Sequence, residues 1–382
     1  MELKKKKIVI APDSFKESMT AQQAAEAIAK GVKSVFQDKL DLELIPMADG
    51  GEGTIQSLAD ALDGTTHSKK VTGPLGNSVI ANYAISGDKT TAIIEMAEAS
   101  GIALVPSEIR NPLKTTTHGT GQLIQAALDH NVEKIILGIG GSATNDGGAG
   151  MVEALGGKLL NSEGNSIPSG GGSLIDLDDI DLSNLDKRLQ DVQIIVACDV
   201  DNPLLGEYGA SAIYGPQKGA DKKMVSDLDS ALSNYHDVLE RVTKKSVKDI
   251  PGAGAAGGLG AGLLAFLHAK LEPGVEIVLK ETNFYERVVD ADLVLTGEGK
   301  IDGQTIYGKT PIGVAKATKR FNIPVIALSG TLGTDYEKVY NHGIDAAFSI
   351  VQGPCDLEDA LKNGPNYLEG LARNVAKLLV IH

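Results

Sequence analysis

Several short runs in this sequence gather acids, hydroxyls, lysines and glycines in the way that loops holding small anions do. Asp13-Ser14-Phe15-Lys16-Glu17-Ser18 sets an acid, a hydroxyl and a lysine after a β-rich run, a set able to hold a metal and a phosphate. Its plain alternative is a solvated turn with a capping serine. Asp49-Gly50-Gly51-Glu52-Gly53-Thr54 lets the backbone approach a ligand and offers the N–H groups of a helix start to an anion. A tight turn accounts for one of its glycines, not three. In Thr115-Thr116-Thr117-His118-Gly119-Thr120-Gly121, hydroxyls and glycines open a helix, which suits a carboxylate or phosphate as well as simple threonine capping. His118 has no second histidine nearby in sequence and reads as an orienting or structural residue.

The richest run is Gly138-Ile139-Gly140-Gly141-Ser142-Ala143-Thr144-Asn145-Asp146-Gly147-Gly148. Gly138, Gly140 and Ala143 satisfy a loose dinucleotide fingerprint, but the region near Glu163, about twenty residues on, reads as a loop and does not convincingly supply the ribose-binding acid. Asn145 and Asp146 add metal- or hydroxyl-binding groups that a dinucleotide turn does not need. Cys198-Asp199-Val200-Asp201-Asn202-Pro203 places two carboxylates and an amide at a strand end, able to ligate magnesium or accept a proton from a hydroxyl. Gly215-Pro216-Gln217-Lys218-Gly219 is a turn carrying a cation. Gly252 to Gly262, with Gly254, Gly257 and Gly258, is a glycine/alanine entry to a helix that fits phosphate approach or close helix packing equally well. Gly303-Gln304-Thr305-Ile306-Tyr307-Gly308-Lys309-Thr310 matches GxxxxGK[ST] letter for letter. The strand before it is expected to end near Thr296, and Pro311 follows it directly, so the strand–loop–helix context of a P-loop is missing. Glu298, Lys300 and Asp302 in the same stretch lie at a strand end.

Composition narrows the classes. The 382 residues allow two domains, and 45 of them are glycine, about 12% against a usual value of about 7%. The glycines follow apolar runs without a three-residue period, which excludes collagen. Net charge is −14, with no basic stripe for nucleic acid. Two cysteines, Cys198 and Cys355, make neither a disulfide framework nor a metal knuckle. The apolar stretch after MELKKKK is too short for a signal-peptide core, and six glycines in Gly252 to Ala269 favour a buried helix over a membrane span. The expected setting is cytoplasmic, with no membrane partner.

Strand and helix patterns alternate at both ends of the chain. Ile8 to Ala11 and Leu42 to Met47 read as strands, and Thr20 with Gln23 forms a capping box for a helix reaching Val35. A second helix is expected at Thr54 to Leu62. Leu293 to Thr296, Val325 to Ser329 and Ala346 to Val351 read as strands. Helices are expected at Ile312 to Lys319, around Tyr336 to Asn341, and from Tyr367 to Leu379. Two βα units at the front and three at the back make one five-stranded, flavodoxin-like, doubly wound parallel sheet. An inserted α/β domain then interrupts it, giving a discontinuous domain 1–63 plus 288–382 and an insertion 64–287. The insertion carries a hairpin at Val71 to Ser86, strands at Ile93 to Met96, Ile135 to Ile139 and Ile194 to Ala197, a helix at Gly119 to His130, and a loop-rich segment at Asn161 to Leu185. This layout places the expected active site in the interdomain cleft.

In order along the chain, PDSFKES, ADGGEGT, GTGQLI, GGSATNDGG, ACDVDNPL, GPQKGA, PGAGAAGGLG and TGEGKIDGQT resemble the glycerate kinase family of the bacterial glyoxylate and glucarate pathways. The likeness spans nearly the whole chain. It implies a flavodoxin-like domain interrupted by a second α/β domain, and ATP-dependent phosphorylation of D-glycerate with magnesium to a phosphoglycerate. Lys300 stands where arginine is expected at least as often, which weakens a bidentate phosphate contact there. Tyr214, before Gly215, looks like a conservative change from the phenylalanine that the resemblance implies.

Phosphoryl transfer asks for positioning, charge neutralisation and an acid beside the attacking hydroxyl. Lys16 and Lys300 are expected to neutralise phosphate or carboxylate charge, and Asp13 or Asp199 to hold magnesium or receive the hydroxyl proton. Ser14, Asp49, Gly50, Gly51, Thr117, Gly140, Gly141, Ser142, Asn145, Asp146, Gly254, Gly257, Gly258, Glu298 and Asp302 complete the candidate binding set. The residues leave open the 2- or 3-hydroxyl as acceptor and the oligomeric state. A dinucleotide-dependent oxidoreductase and a non-catalytic small-carboxylate-binding protein remain the alternatives.

Overall fold

The structure is a computed structural model and describes residues 5–48 and 54–380. The chain divides into two compact units, one made of Met1–Leu62 with Pro273–His382 and the other of Asp63–Glu272. The return to the first unit comes at Pro273, ahead of residue 288, because the helices Gly274–Glu281 and Phe284–Val288 pack within it. Val275 fills the space beside Gly313. Arg287 donates to Glu43 Oε1 at 2.5 Å and to the Leu44 carbonyl at 3.0 Å.

Strands β1 (Lys6–Pro12) and β2 (Leu40–Leu44) precede the inserted unit. That unit carries β3 (Thr65–Thr72), β4 (Ser78–Ile85), β5 (Thr91–Glu95), β6 (Lys134–Gly138), β7 (Lys158–Leu160), β8 (Asp179–Asp181), β9 (Gln193–Ala197) and β10 (Lys270–Glu272). The chain returns with β11 (Leu293–Ile301), β12 (Val325–Leu332) and β13 (Ala346–Ser349).

In the first unit the sheet order is β2-β1-β11-β12-β13 and every pair is parallel. Counted within the unit this is the order 2-1-3-4-5 of a flavodoxin-like doubly wound sheet. Such strands are covered on both faces and read as continuous apolar runs. Ile8 and Ile10 join Ala24 and Ile28 of the helix Ala21–Phe36 and Leu368 of the helix Leu357–Leu378 in one core. Val9, between them, is equally buried on the opposite side, where the helix Thr310–Lys319 packs on β1 and β11. The capping box is present: Gln23 N donates to Thr20 Oγ1 at 3.2 Å and Thr20 N to Gln23 Oε1 at 3.0 Å.

Two elements run further than the pattern suggests. β11 continues past Thr296 to Ile301, pairing with Leu328–Leu332 of β12. Gly297 permits this, since a Cβ there would stand 1.9 Å from the Leu328 carbonyl oxygen. The last helix begins at Leu357, ten residues ahead of Tyr367, with Asp356 as its cap. Pro365 obscures it in the sequence, because proline cannot donate to the carbonyl four residues back. The hydroxyl of Ser18 takes that position instead, donating to the Leu361 carbonyl at 2.6 Å.

The inserted unit holds a six-stranded sheet in the order β10-β9-β6-β5-β4-β3. β5, β6, β9 and β10 are parallel, and β3, β4 and β5 form an antiparallel edge whose hairpin turns over Gly73–Asn77. The segment expected as loop, Asn161 to Leu185, contains β8, which pairs antiparallel with β7 just ahead of that segment. No described helix is long and apolar enough to cross a membrane.

Candidate functional site

In an open doubly wound sheet, ligands settle at the carboxyl ends of the strands where the order reverses. In the first unit that point lies between β1 and β11, and the candidates Asp13, Ser14, Lys16, Glu298, Lys300 and Asp302 follow or end these two strands. Asp13 N donates to the Gly297 carbonyl at 2.8 Å, tying the two strand ends together. The Asp13 carboxylate is buried and accepts the hydroxyl of Thr310 at 2.6 Å and the Ser14 N–H at 2.6 Å. Glu298, 7% exposed, accepts Thr305 Oγ1 at 3.0 Å and Lys309 Nζ at 3.2 Å. Burial pushes its carboxyl up to about 7, with the charge of Asp13 adding to the rise and Lys309 and Thr305 opposing it. Lys300 Nζ lies 2.9 Å from Asp302 Oδ2, which holds that carboxyl below its ordinary value. Lys16 and the Lys300 ammonium are exposed. A Cβ at Gly299 would stand 3.5 Å from Lys16 N, so the Lys16 turn lies against β11.

With β11 running to Ile301, GxxxxGK[ST] acquires the strand–loop–helix order, against the expectation of a strand ending near Thr296. It still is not a phosphate cradle. Gly303, Gln304, Thr305 and Tyr307 give their N–H groups to Thr334 O, Asp302 Oδ1, Asp302 O and Gln304 O, and Lys309 is held on Glu298. Asp49, Gly50 and Gly51 lie outside the described residues.

In the inserted unit, the loop after β6 has an exposed tip and a buried base. Gly140 and Gly141 are exposed, and the space over Gly140 is open. Ser142, Thr144, Asn145 and Asp146 are buried. Asp146 accepts four donors: Thr117 N at 2.7 Å, Thr117 Oγ1 at 2.9 Å, Gly148 N at 3.2 Å and Gly150 N at 3.3 Å. Thr117 and Asp146, expected to meet a ligand, meet each other and join the starts of the helices His118–Leu128 and Ala149–Ala154. Asn145 Nδ2 donates to Ser211 Oγ at 3.0 Å. The dinucleotide fingerprint does not form its turn, because the next helix begins only at Ala149.

Gly254, Gly257 and Gly258 also turn out to face protein rather than solvent. Cβ atoms there would stand 2.1 Å from Pro203 O, 2.0 Å from Thr144 O and 2.8 Å from Leu204 Cδ1. Gly257 and Gly258 continue a left-handed turn begun by Ala256, with φ of 68° and 86°. Close main-chain packing, the plainer of the two readings, therefore explains them. Gly257→Ala is expected to lower stability by about 3 kcal/mol or more, since it combines a clash with main chain and a left-handed φ. A denaturant midpoint unchanged from wild type would contradict this.

Asp199 is exposed just beyond the end of β9, with Asp201 also exposed two residues on. Asn202 beside them is engaged by Tyr214 OH at 2.6 Å and by the Tyr208 carbonyl at 2.9 Å. No group of three His, Cys, Asp or Glu side chains among the described residues is arranged to hold a metal. Magnesium needs only one or two protein carboxylates beside substrate phosphates, and the hard oxygens of Asp199 and Asp201 fit that mode. Asp13 fits it less well, as both its oxygens already accept hydrogen bonds.

Residues outside the candidate set also belong to these clusters, Thr305 on Glu298 and Ser211 on Asn145 among them. Thr310 and Lys309 hold the two acids of the first unit, and Lys218 reaches the base of the Gly140–Asn145 loop, donating to Ser142 Oγ at 2.6 Å and Thr144 O at 2.7 Å. The sequence shows Lys218 only as the cation of a tight turn between Pro216 and Gly219, whose φ is 95°.

The profile of the Glycerate kinase family matches residues 8–380. The chain is 60% identical over 369 residues to a glycerate kinase of Halalkalibacterium halodurans, with 97% of each covered. It is 53% identical over 375 residues to the glycerate 2-kinase of Escherichia coli K12, with 98% of each covered. A crystal structure from Salmonella typhimurium LT2, designated glycerate kinase 2, superimposes with a TM-score of 0.91 at 52% identity over 98% of both chains.

Proposed function

From the premise that the chain belongs to the glycerate kinase family, we propose that it transfers the γ-phosphoryl group of ATP to the 2-hydroxyl of D-glycerate, giving 2-phosphoglycerate and ADP. The observation that carries the choice of hydroxyl is the 53% identity, over 98% of both chains, to a relative named glycerate 2-kinase.

The reaction needs a proton acceptor at the attacking hydroxyl and fixed positive charge at the phosphates. Glu298 supports the first role. It is a buried carboxyl at the switch point of the sheet, and its pKa of about 7 makes it half ionised at neutral pH. Asp13, held by Thr310, keeps a second negative charge beside it. Lys16 and Lys300, exposed beyond the ends of β1 and in β11, supply charge for a phosphate or the glycerate carboxylate. The open main chain at Gly140 and Gly141 receives an anionic group. Asp199 would hold magnesium, which neutralises charge on the transferring phosphoryl group when bound.

Turnover of D-glycerate with ATP and magnesium, coupled through enolase, tests this directly. Signal without added phosphoglycerate mutase is the expected result, because enolase accepts 2-phosphoglycerate. Signal only with the mutase would move the phosphate to the 3-hydroxyl. No ADP in either arm would overturn the kinase reading.

A further inference from the structure

Lys218 is 2% exposed, whereas the other lysines whose burial is described are half-buried or exposed. Burying an ammonium is costly unless it is hydrogen-bonded, so its surroundings carry the reason for its presence. The turn Pro216–Lys218 aims it inward. Lys218 N donates to Gly215 O at 3.0 Å and Gly219 N to Pro216 O at 3.1 Å. Gly219, at φ 95°, ends the turn against the Arg110 main chain, with no room for a Cβ. The ammonium then gives two of its three N–H groups to one loop, at Ser142 Oγ and Thr144 O.

The bonds on the far side of that loop are already made. Ala143 N donates to Ser100 O at 2.9 Å, Thr115 Oγ1 to Ala143 O at 2.8 Å, and Gly147 N to Gly257 O at 3.0 Å. Thr144 Oγ1 and Asn145 Oδ1 are buried there without a partner. Ahead of Ser142 the loop opens into exposed Gly140 and Gly141, with open space over Gly140 and the Ala97 side chain beside Gly141. Ile102 N donates to Gly141 O at 2.8 Å and so ties the tip's main chain, and Lys218 adds the hold on the Ser142 side chain and the Thr144 carbonyl that follow it.

We propose that Lys218 is a positioning residue that clasps Ser142 and Thr144, so fixing the Gly140–Gly141 main chain to receive an anionic group of a substrate, and that its positive charge strengthens that binding. The proposal rests on the kinase reading only for the two anions it names, the carboxylate of D-glycerate and the phosphates of ATP.

Charge linkage gives it a readout that a merely structural lysine would not move. Burial brings the Lys218 ammonium down to about 7, with Asp146 opposing the fall. Asp146 in turn is faced by His118, Glu153 and Tyr235, and Arg110 Nη1 reaches the Gln217 carbonyl beside Lys218 at 3.5 Å. Of these, the group whose charge acts on Lys218 is Asp146. An arriving anion favours the protonated amine, so binding takes up a proton from buffer above pH 7 and weakens as pH rises, by up to about tenfold per unit for one proton.

Steady-state kinetics from pH 6 to 9 on wild type and Lys218→Met, each checked for folding by circular dichroism, tests the proposal. Expected is a KM for one of the two substrates that climbs above pH 7 in wild type. In Lys218→Met that KM is raised about 100-fold at pH 7 and no longer climbs, while kcat stays within about threefold. Which KM moves identifies the anion as carboxylate or phosphate. Should Lys218→Met not fold, Ser142→Ala removes one of the two clasped acceptors and is expected to raise the same KM about tenfold. Calorimetric binding of ATP alone and of D-glycerate alone, in two buffers of different ionisation heat at pH 7.5, reads the linkage without turnover. Proton uptake with one of them, lost in Lys218→Met, supports the proposal. Unchanged KM values in a folded variant, or no proton uptake with either ligand, overturn it. The kinase reading itself stands or falls on ADP formation by wild type.

Discussion

Glu298→Gln is expected to lower kcat about 100- to 10,000-fold without unfolding the protein, and to abolish the acidic limb of the rate profile. The size follows from what a positioned general base contributes to a proton transfer. Glutamine keeps the shape of the side chain and an oxygen for the Thr305 hydroxyl, 3.0 Å away in wild type, but it cannot take a proton. In wild type kcat should rise through pH 7 as Glu298 ionises. A glutamine variant within a factor of five of wild type at pH 8 would show that the proton goes elsewhere.

The same residue ties activity to stability, with the opposite sign. The folded-state carboxyl sits at about 7, against an ordinary value of 4.5. Between those values the folded protein binds more protons than the unfolded chain, so stability falls as pH rises from about 4.5 to about 7 and the loss is complete above it. Glu298→Gln removes this dependence. Its melting temperature should drop less than that of wild type between pH 5 and pH 8. On the proposed assignment of Glu298 as base, catalysis at neutral pH uses the carboxylate in the form the fold tolerates least, which is how a site gains a base poised near working pH.

The strand-end loops were legible because their chemistry is local. Asp13, Lys16, Glu298 and Lys300 follow or end apolar runs, and a doubly wound order brings the ends of β1 and β11 together whatever the side chains do. What was not legible depended on partners far along the chain. Thr117 and Asp146 are 29 residues apart, and each alone looks like a ligand group until the other is seen to satisfy it. Gly257 looks like room for a phosphate until Thr144 O is found in that room. Lys218 reaches residues 74 and 76 positions earlier, and nothing in its own turn names them. The extension of β11 past Thr296 is hidden because Gly297 and Gly299 resemble loop, whereas Gly297 lets β11 and β12 pass closely.

Asp146→Ala should destabilise the protein by about 3 to 5 kcal/mol, the largest stability effect expected of any candidate residue. Four donors converge on the carboxylate, from Thr117, Gly148 and Gly150, and all are buried. Removing the acceptor leaves each without a partner, and an unmet buried donor costs about 1 to 3 kcal/mol. The Lys218 ammonium loses its opposing charge at the same time, so its own burial becomes costlier. Asp146→Asn is no remedy: one oxygen remains, but the new amide turns its own donors toward donors. For a unit the size of Asp63–Glu272 the alanine variant should melt about 10 °C below wild type in a scanning calorimeter. A loss below about 1 kcal/mol would mean that water replaces the carboxylate. In that event Asp146 would not be the internal tie described above, and the expectation that it meets a ligand would return. The predicted loss would instead place its role in holding the base of the loop whose tip, at Gly140 and Gly141, stays open.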